Sequence, residues 1–117
     1  MGQNAVADKS FEFSVRIVNL YKYMLREHRE YVLSKQLLRC GTSIGANVSE
    51  AQRGQSKADF AAKMNIALKE ANETEYWIRL LRRTEYLTEE QYASLNADIR
   101  ELIGLLTAIC NTANNTK

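Results

Sequence analysis

SKADFAAKMNIALKEANETEYWIRLL, Ser56 to Leu81, decides the fold of this 117-residue chain. Phe60, Met64, Ala67, Ala71, Thr74, Ile78 and Leu81 step by 4, 3, 4, 3, 4 and 3 positions, the spacing that holds one face of a helix against a packed seam. Ile66, Trp77 and Leu80 fall outside that series. At about 100° per residue they lie roughly opposite it, sharing their face with Glu70 and Glu73. A long helix with two apolar faces implies a chain that folds by the first and assembles with copies of itself by the second. Trp77 is the anchor such an interface would bury.

The same reading finds three more helices on either side. The first is expected over about residues 10–28, starting near Ser10, with Phe13, Ile17, Leu20, Tyr21 and Met24 on one face and Phe11, Val15 and Val18 broadening it. Ser34 reads as an N-cap, flanked by a Leu33–Leu38 hydrophobic staple, and opens a second helix over about residues 35–53. Gly54 ends it, and Ser56 caps the third, about residues 57–84, with Asp59 favoured by the helix dipole in the first turn. Thr88 and Gln91 form a capping box, with Leu87 and Tyr92 as a second staple. The fourth helix therefore spans about residues 89–111 and carries Tyr92, Leu95, Ile99, Leu102, Leu106 and Ile109, while residues 112–117 are expected to fray. Short connections make successive helices antiparallel, so the expected architecture is all-α, an up-and-down four-helix bundle in a single domain. Gly41, Gly45 and Ser49 leave a strip of the second helix nearly bare. It invites close approach, either by bulky neighbours such as Trp77 or Phe60 or by another subunit.

Composition fits this picture. There is no proline, there are only 5 glycines, and a hydrophobic share of 45% suits one core. Lysine and arginine number 16 against 14 acids, so a net charge of +2 is too mild to declare nucleic-acid binding by its sum. No apolar run reaches the roughly 18 residues a membrane span needs, and MGQNAVADKS lacks the basic start and apolar core of a secretion signal. A cytoplasmic, membrane-free protein is expected. Gly2 does not fit the myristoylation pattern, because Val6 stands where Ser or Thr belongs. The sequons at Asn47, Asn72 and Asn114 are chance matches in an unsecreted chain. Cys40 and Cys110 form neither a disulfide framework nor a zinc pattern, and parallel second and fourth helices place them far apart, so both are expected reduced.

From Arg39 to Leu81, RCGTSIGANVSEAQRGQSKADFAAKMNIALKEANETEYWIRLL, the chain resembles the bacterial four helix bundle protein family, first noticed in intervening sequences of large-subunit ribosomal RNA genes. The most specific parts are SIGANVSEA, Ser43 to Ala51, and ALKEANETEYW, Ala67 to Trp77. The resemblance covers about Phe11 to Ile109. It implies a four-helix up-and-down fold and, by analogy with relatives that include a retroelement accessory protein, a homopentameric barrel; it does not imply an enzyme. Many relatives have a proline in the first connection, where this chain reads REHREYVLSKQ.

The polar residues form two patterns that bear on chemistry. Arg39, Ser43, Asn47 and Glu50 recur at helical spacing as a stripe along the second helix. If the second and third helices meet near Gln55, Arg39 lies level with Glu70 and Glu73, and Glu50 with Lys57 and Lys63. Arg39 then pairs with Glu73, within one subunit or across a boundary, and the stripe reads as a structural or interface network. A di-iron bundle site needs Glu-x-x-His on two helices; the only histidine, His28, has no Glu three positions before it and reads as a solvated loop residue. No nucleophile–base arrangement and no phosphate loop is present, so no catalytic residue, metal or cofactor is expected.

In an antiparallel bundle the first connection and the end of the third helix share one pole. Lys22, Arg26, Arg29, Lys35 and Arg39 there approach Arg79, Arg82 and Arg83, against Glu27, Glu30, Glu85, Glu89 and Glu90, and a ring of subunits would multiply the field. Such cations neutralise phosphates without reading bases. Tyr76 and Trp77 have faces able to stack on bases, but at helical spacing they read as packing groups. The functional expectation is a non-enzymatic homo-oligomeric scaffold, a pentamer by resemblance. Its partner would be RNA or DNA, ribosomal RNA included, or a nucleic-acid-processing protein. The alternative is a protein-interaction adaptor.

Overall fold

The computed structural model describes residues 2–115 of the chain, with side chains from Ala5 onward. Its helices are α1 (Gly2–Tyr23), continued by a wider π-helical turn at Met24–His28, α2 (Val32–Gln52), α3 (Lys57–Arg83) and α4 (Glu89–Asn115). Together they make a rod 48 Å long and 21 by 20 Å across. Each contributes a buried stripe: Phe13 and Ile17 from α1, extended by Met24 of the π-helical turn; Leu37, Ile44 and Val48 from α2; Met64, Ala67, Ala71, Thr74, Ile78 and Leu81 from α3; Leu95, Ile99, Leu102 and Leu106 from α4. Burying one such Leu or Ile side chain is worth about 1.5–3 kcal/mol, which makes these stripes the main source of stability.

Ion pairs between helices fix the register. Arg39–Glu73 and Lys63–Glu50 join α2 to α3, Arg100–Glu75 and Arg82–Glu89 join α3 to α4, and Arg16–Asp98 and Lys9–Glu101 join α4 to α1. Each set counts up one helix as it counts down the next, the signature of antiparallel neighbours. With α1 paired to α4 the up-and-down bundle closes.

Two expected caps form as read. The Thr88 N–H donates to Gln91 Oε1 at 2.9 Å and the Gln91 N–H to Thr88 Oγ1 at 3.1 Å, while the Asp59 N–H donates to Ser56 Oγ at 3.0 Å. The α2 cap differs. The helix starts at Val32, and the Glu30 carboxylate, not Ser34, accepts the N–H groups of Val32, Leu33 and Ser34 at 3.0, 2.8 and 2.9 Å. One carboxylate satisfies three orphan donors where a hydroxyl satisfies one; Ser34, itself buried, donates its hydroxyl to Glu30 Oε1 at 2.6 Å.

Both termini are more helical than the sequence suggests. α1 begins at Gly2 instead of near Ser10: Val6 and Ser10 are buried, and the Ser10 hydroxyl donates within the helix to the Ala7 carbonyl at 3.2 Å. The expected frayed tail is helical through Asn115, where Asn114 and Asn65 exchange amide hydrogen bonds of 2.9 and 3.3 Å; Thr116 and Lys117 lie outside the described residues.

The bare strip on α2 seats α1. A Cβ on Gly41 would stand 3.0 Å from Ile17 Cγ1, and one on Gly45 3.1 Å from both the Ser10 carbonyl oxygen and Ser14 Oγ. The close neighbour within the chain is therefore α1, and not Trp77 or Phe60. That seating turns the Phe13–Ile17 face inward. Phe11, Val15 and Val18, expected to broaden the core face, point the other way and are 64%, 41% and 37% exposed.

Candidate nucleic-acid interface

One end of the rod is built from the α1–α2 and α3–α4 connections, and aromatic rings tie them together. The His28 ring stands edge-on to Tyr23 at 5.6 Å and to Tyr86 at 5.4 Å, so a residue read as merely solvated bridges the two connections. Both helices that end here turn sharply. Arg29 closes the π-helical turn at φ 52°, and Glu85 follows α3 at φ 72°. Around Glu85, the Tyr86 N–H donates to the Leu81 carbonyl at 2.9 Å and the Glu85 N–H to the Arg82 carbonyl at 3.1 Å, a Schellman motif.

The expected cations gather at this pole and divide into two sets. Arg26 pairs with Glu27 at 2.9 Å and lies 5.9 Å from the Tyr23 ring centre, and Arg82 pairs with Glu89 at 2.5 Å. Arg39 pairs with both Glu70 at 3.2 Å and Glu73 at 2.5 Å, so its charge is committed and it leaves the polar count, which becomes seven cations against five acids. Lys22, Arg29, Lys35, Arg79 and Arg83 are exposed and make no ion pair with any other described residue.

The Arg39–Glu73 pair thus forms within one chain. Hydrogen bonds from Arg39 and from the Trp77 indole N–H, at 3.2 Å, hold the Glu73 carboxyl below its usual range. Trp77 correspondingly sits on the flank of α3, half-buried against the core, instead of on the face away from it; Leu80 is also half-buried, and Ile66 is 40% exposed. Ser43 and Asn47 do not join a side-chain network: Ser43 Oγ donates to the Arg39 carbonyl at 2.6 Å and Asn47 Nδ2 to the Ser43 carbonyl at 2.8 Å, both inside α2. Glu50 pairs with Lys63 at 2.7 Å. The stripe is two residues with interhelical ion pairs, Arg39 and Glu50, separated by two self-satisfied side chains.

Where α3 ends and α4 begins, Tyr76, Arg79, Leu80, Arg82, Arg83 and Tyr92 line a surface groove of about 440 Å³. Tyr76 is 55% exposed, its ring edge-on to Trp77 at 5.2 Å. Tyr92, read from sequence only as a staple and packing residue, also forms one wall of this groove. Its place opposite Arg79 depends on how the α3–α4 turn folds back. Among the described residues no three His, Cys, Asp or Glu side chains come together as metal ligands, and no helix is long and apolar enough to cross a membrane.

No curated protein matches the chain. The crystal structure of a protein of unknown function from the S23 ribosomal protein family, from Bacteroides thetaiotaomicron VPI-5482, is 62% identical and superposes with a TM-score of 0.93, covering 95% of this chain and 99% of that one. Residues 2–108 match the 23S rRNA-intervening sequence protein family. With the family matched over nearly the whole length and the fold shared with a solved structure of 62% identity, the chain belongs to the family of 23S rRNA-intervening sequence proteins.

Proposed function

We propose that this protein is a non-enzymatic helical scaffold that assembles with copies of itself and binds nucleic acid through its cationic pole. The observation that carries the reading is the set of five exposed, unpaired cations, Lys22, Arg29, Lys35, Arg79 and Arg83, drawn from three helices and a connection to one end of the rod. Charges without internal partners keep their full attraction for phosphate, and binding by them is sequence-tolerant and salt-sensitive. The family's name couples it to sequences within 23S rRNA, which makes RNA the first nucleic acid to test.

Self-assembly draws on apolar area the single chain leaves uncovered: Phe11, Val15 and Val18 along the outer side of α1, Leu25 in the π-helical turn that continues it, and Ile66 on α3. Trp77 and Leu80 add their exposed edges. Light scattering should give a multiple of 13.4 kDa, five copies by family resemblance, and Phe11→Asp with Val15→Asp should dissociate it without unfolding the chain. For the pole, Arg79→Ala, Arg82→Ala and Arg83→Ala together should weaken binding of mixed-sequence RNA and DNA and flatten its salt dependence. Binding unchanged by the triple substitution, or absent at about 50 mM salt, leaves a protein-interaction adaptor as the reading.

A further inference from the structure

We infer that the groove between the end of α3 and the start of α4 is a binding site for unpaired nucleotides, holding a short single strand by base stacking as well as by charge. The inference rests on the cationic-pole reading and specifies which form of nucleic acid the pole prefers. Tyr76, Arg79 and Arg83 stand three and four positions apart and so share one outward line of α3. From Tyr76 to Arg83 that line is about 10 Å long at 1.5 Å per residue. At a strand spacing of about 3.4 Å, this is room for about three stacked nucleotides.

The groups along it have complementary roles. Arg79 and Arg83 have no ion pair among the described residues and are available to phosphates. Arg82 is held in the wall by Glu89, through Nε at 3.0 Å and through a second nitrogen at 2.5 Å, so it shapes the groove and adds little net charge. Tyr76 is 55% exposed although Trp77 braces its ring from the side, and Tyr92 faces the same space from the first turn of α4. A braced, exposed ring beside uncommitted guanidinium groups presents a stacking face where phosphates are held. Every unpaired base offers a π-face to such a ring, whereas a duplex keeps its base faces stacked inside. Single strands should therefore bind better than duplexes of equal length.

Fluorescence anisotropy with labelled oligo(U), oligo(dT) and an RNA duplex of the same length tests this on the full chain. The single strands should bind more tightly than the duplex. Tyr76→Ala should cost about tenfold in single-strand affinity while leaving duplex affinity and the salt slope unchanged, and Tyr76→Phe should restore it. Arg79→Ala and Arg83→Ala should each reduce the single-strand slope of log K against log salt by about 0.7. Far-UV circular dichroism of Tyr76→Ala verifies folding, and its exposure makes an intact fold the expected result. Equal affinity for single strand and duplex, with neither altered by Tyr76→Ala, overturns the groove while the cationic pole stands. Absence of binding to all three probes removes both.

Discussion

Two glycine-to-alanine substitutions, identical in chemistry and both inside helices, should differ clearly in their effect on stability. Gly104 lies in α4 with no heavy atom beyond its own stretch of helix within 4 Å of the position a Cβ would take, so Gly104→Ala adds a methyl group to open space. The gain is the helix-propensity difference, about 1 kcal/mol. Gly45→Ala gains the same increment but sets its Cβ 3.1 Å from the Ser10 carbonyl oxygen, with ordinary contact beginning at 3.4 Å. The obstructing atom is backbone, so α1 must shift as a unit, and overpacking of that kind costs about 1–3 kcal/mol. Propensity cancels between the two variants, and the difference between them, about 1–3 kcal/mol in favour of Gly104→Ala, isolates the close approach of α1 to α2. Urea unfolding followed at 222 nm, at one protein concentration so that assembly contributes equally, measures it. If Gly45→Ala stabilises as much as Gly104→Ala, α1 does not lie against the glycine strip, and the reason given for the inward face of α1 fails.

Two further outcomes follow from the α2 cap and from the buried thiols. Burial pulls the Glu30 carboxyl upward, but hydrogen bonds from the Ser34 hydroxyl and the N–H groups of Leu33, Ser34 and Val32 outweigh it and leave its pKa below the usual 4.5. The folded pKa is the lower one, so the unfolded chain takes up the proton first, and this stabilisation is complete above 4.5 and lost as pH falls through the folded value. Glu30→Ala should therefore cost about 1–2 kcal/mol at neutral pH in urea unfolding, with the gap to the parent protein closing as the pH falls below 4.5; a gap that stays constant contradicts the cap. Cys40 and Cys110 are free and buried, and burial pushes both thiols up. A thiol-reactive disulfide reagent should find no reactive group in the folded protein and both after unfolding, and rapid reaction of either in the folded state would show that its helix opens.

What could be read from the sequence was local or followed from counting. Thr88 with Gln91 and Ser56 with Asp59 act within one turn, so their residue types suffice to announce them. Arg39–Glu73 and Glu50–Lys63 follow from counting equal distances away from the turn near Gln55, which needs only that α2 and α3 be antiparallel. The misreadings share a cause: one residue type serves two purposes. Ser10 has the chemistry of an N-cap, yet it is small because Gly45 brings α2 against it. Ser34 looks like a cap, but the carboxylate four positions earlier takes the donors. On α1 the series Phe13–Ile17–Met24 and Phe11–Val15–Val18 both have helical spacing, and only the glycine strip of α2 decides which one faces inward. Trp77 lies off the main seam, yet it packs within the chain because α3 touches α2 and α4 on separate flanks. At the pole, topology alone gathers the cations. Which of them are neutralised depends on side-chain reach: two acids flank Arg39 and none reaches Arg79 or Arg83.

Titrating a labelled single-stranded RNA with the unaltered protein across a salt series tests most directly whether the cationic pole binds nucleic acid. With Lys22, Arg29, Lys35, Arg79 and Arg83 each meeting a phosphate, log K should fall linearly with log salt at a slope of about −3.5. No binding at about 50 mM salt, or an affinity indifferent to salt, would contradict it.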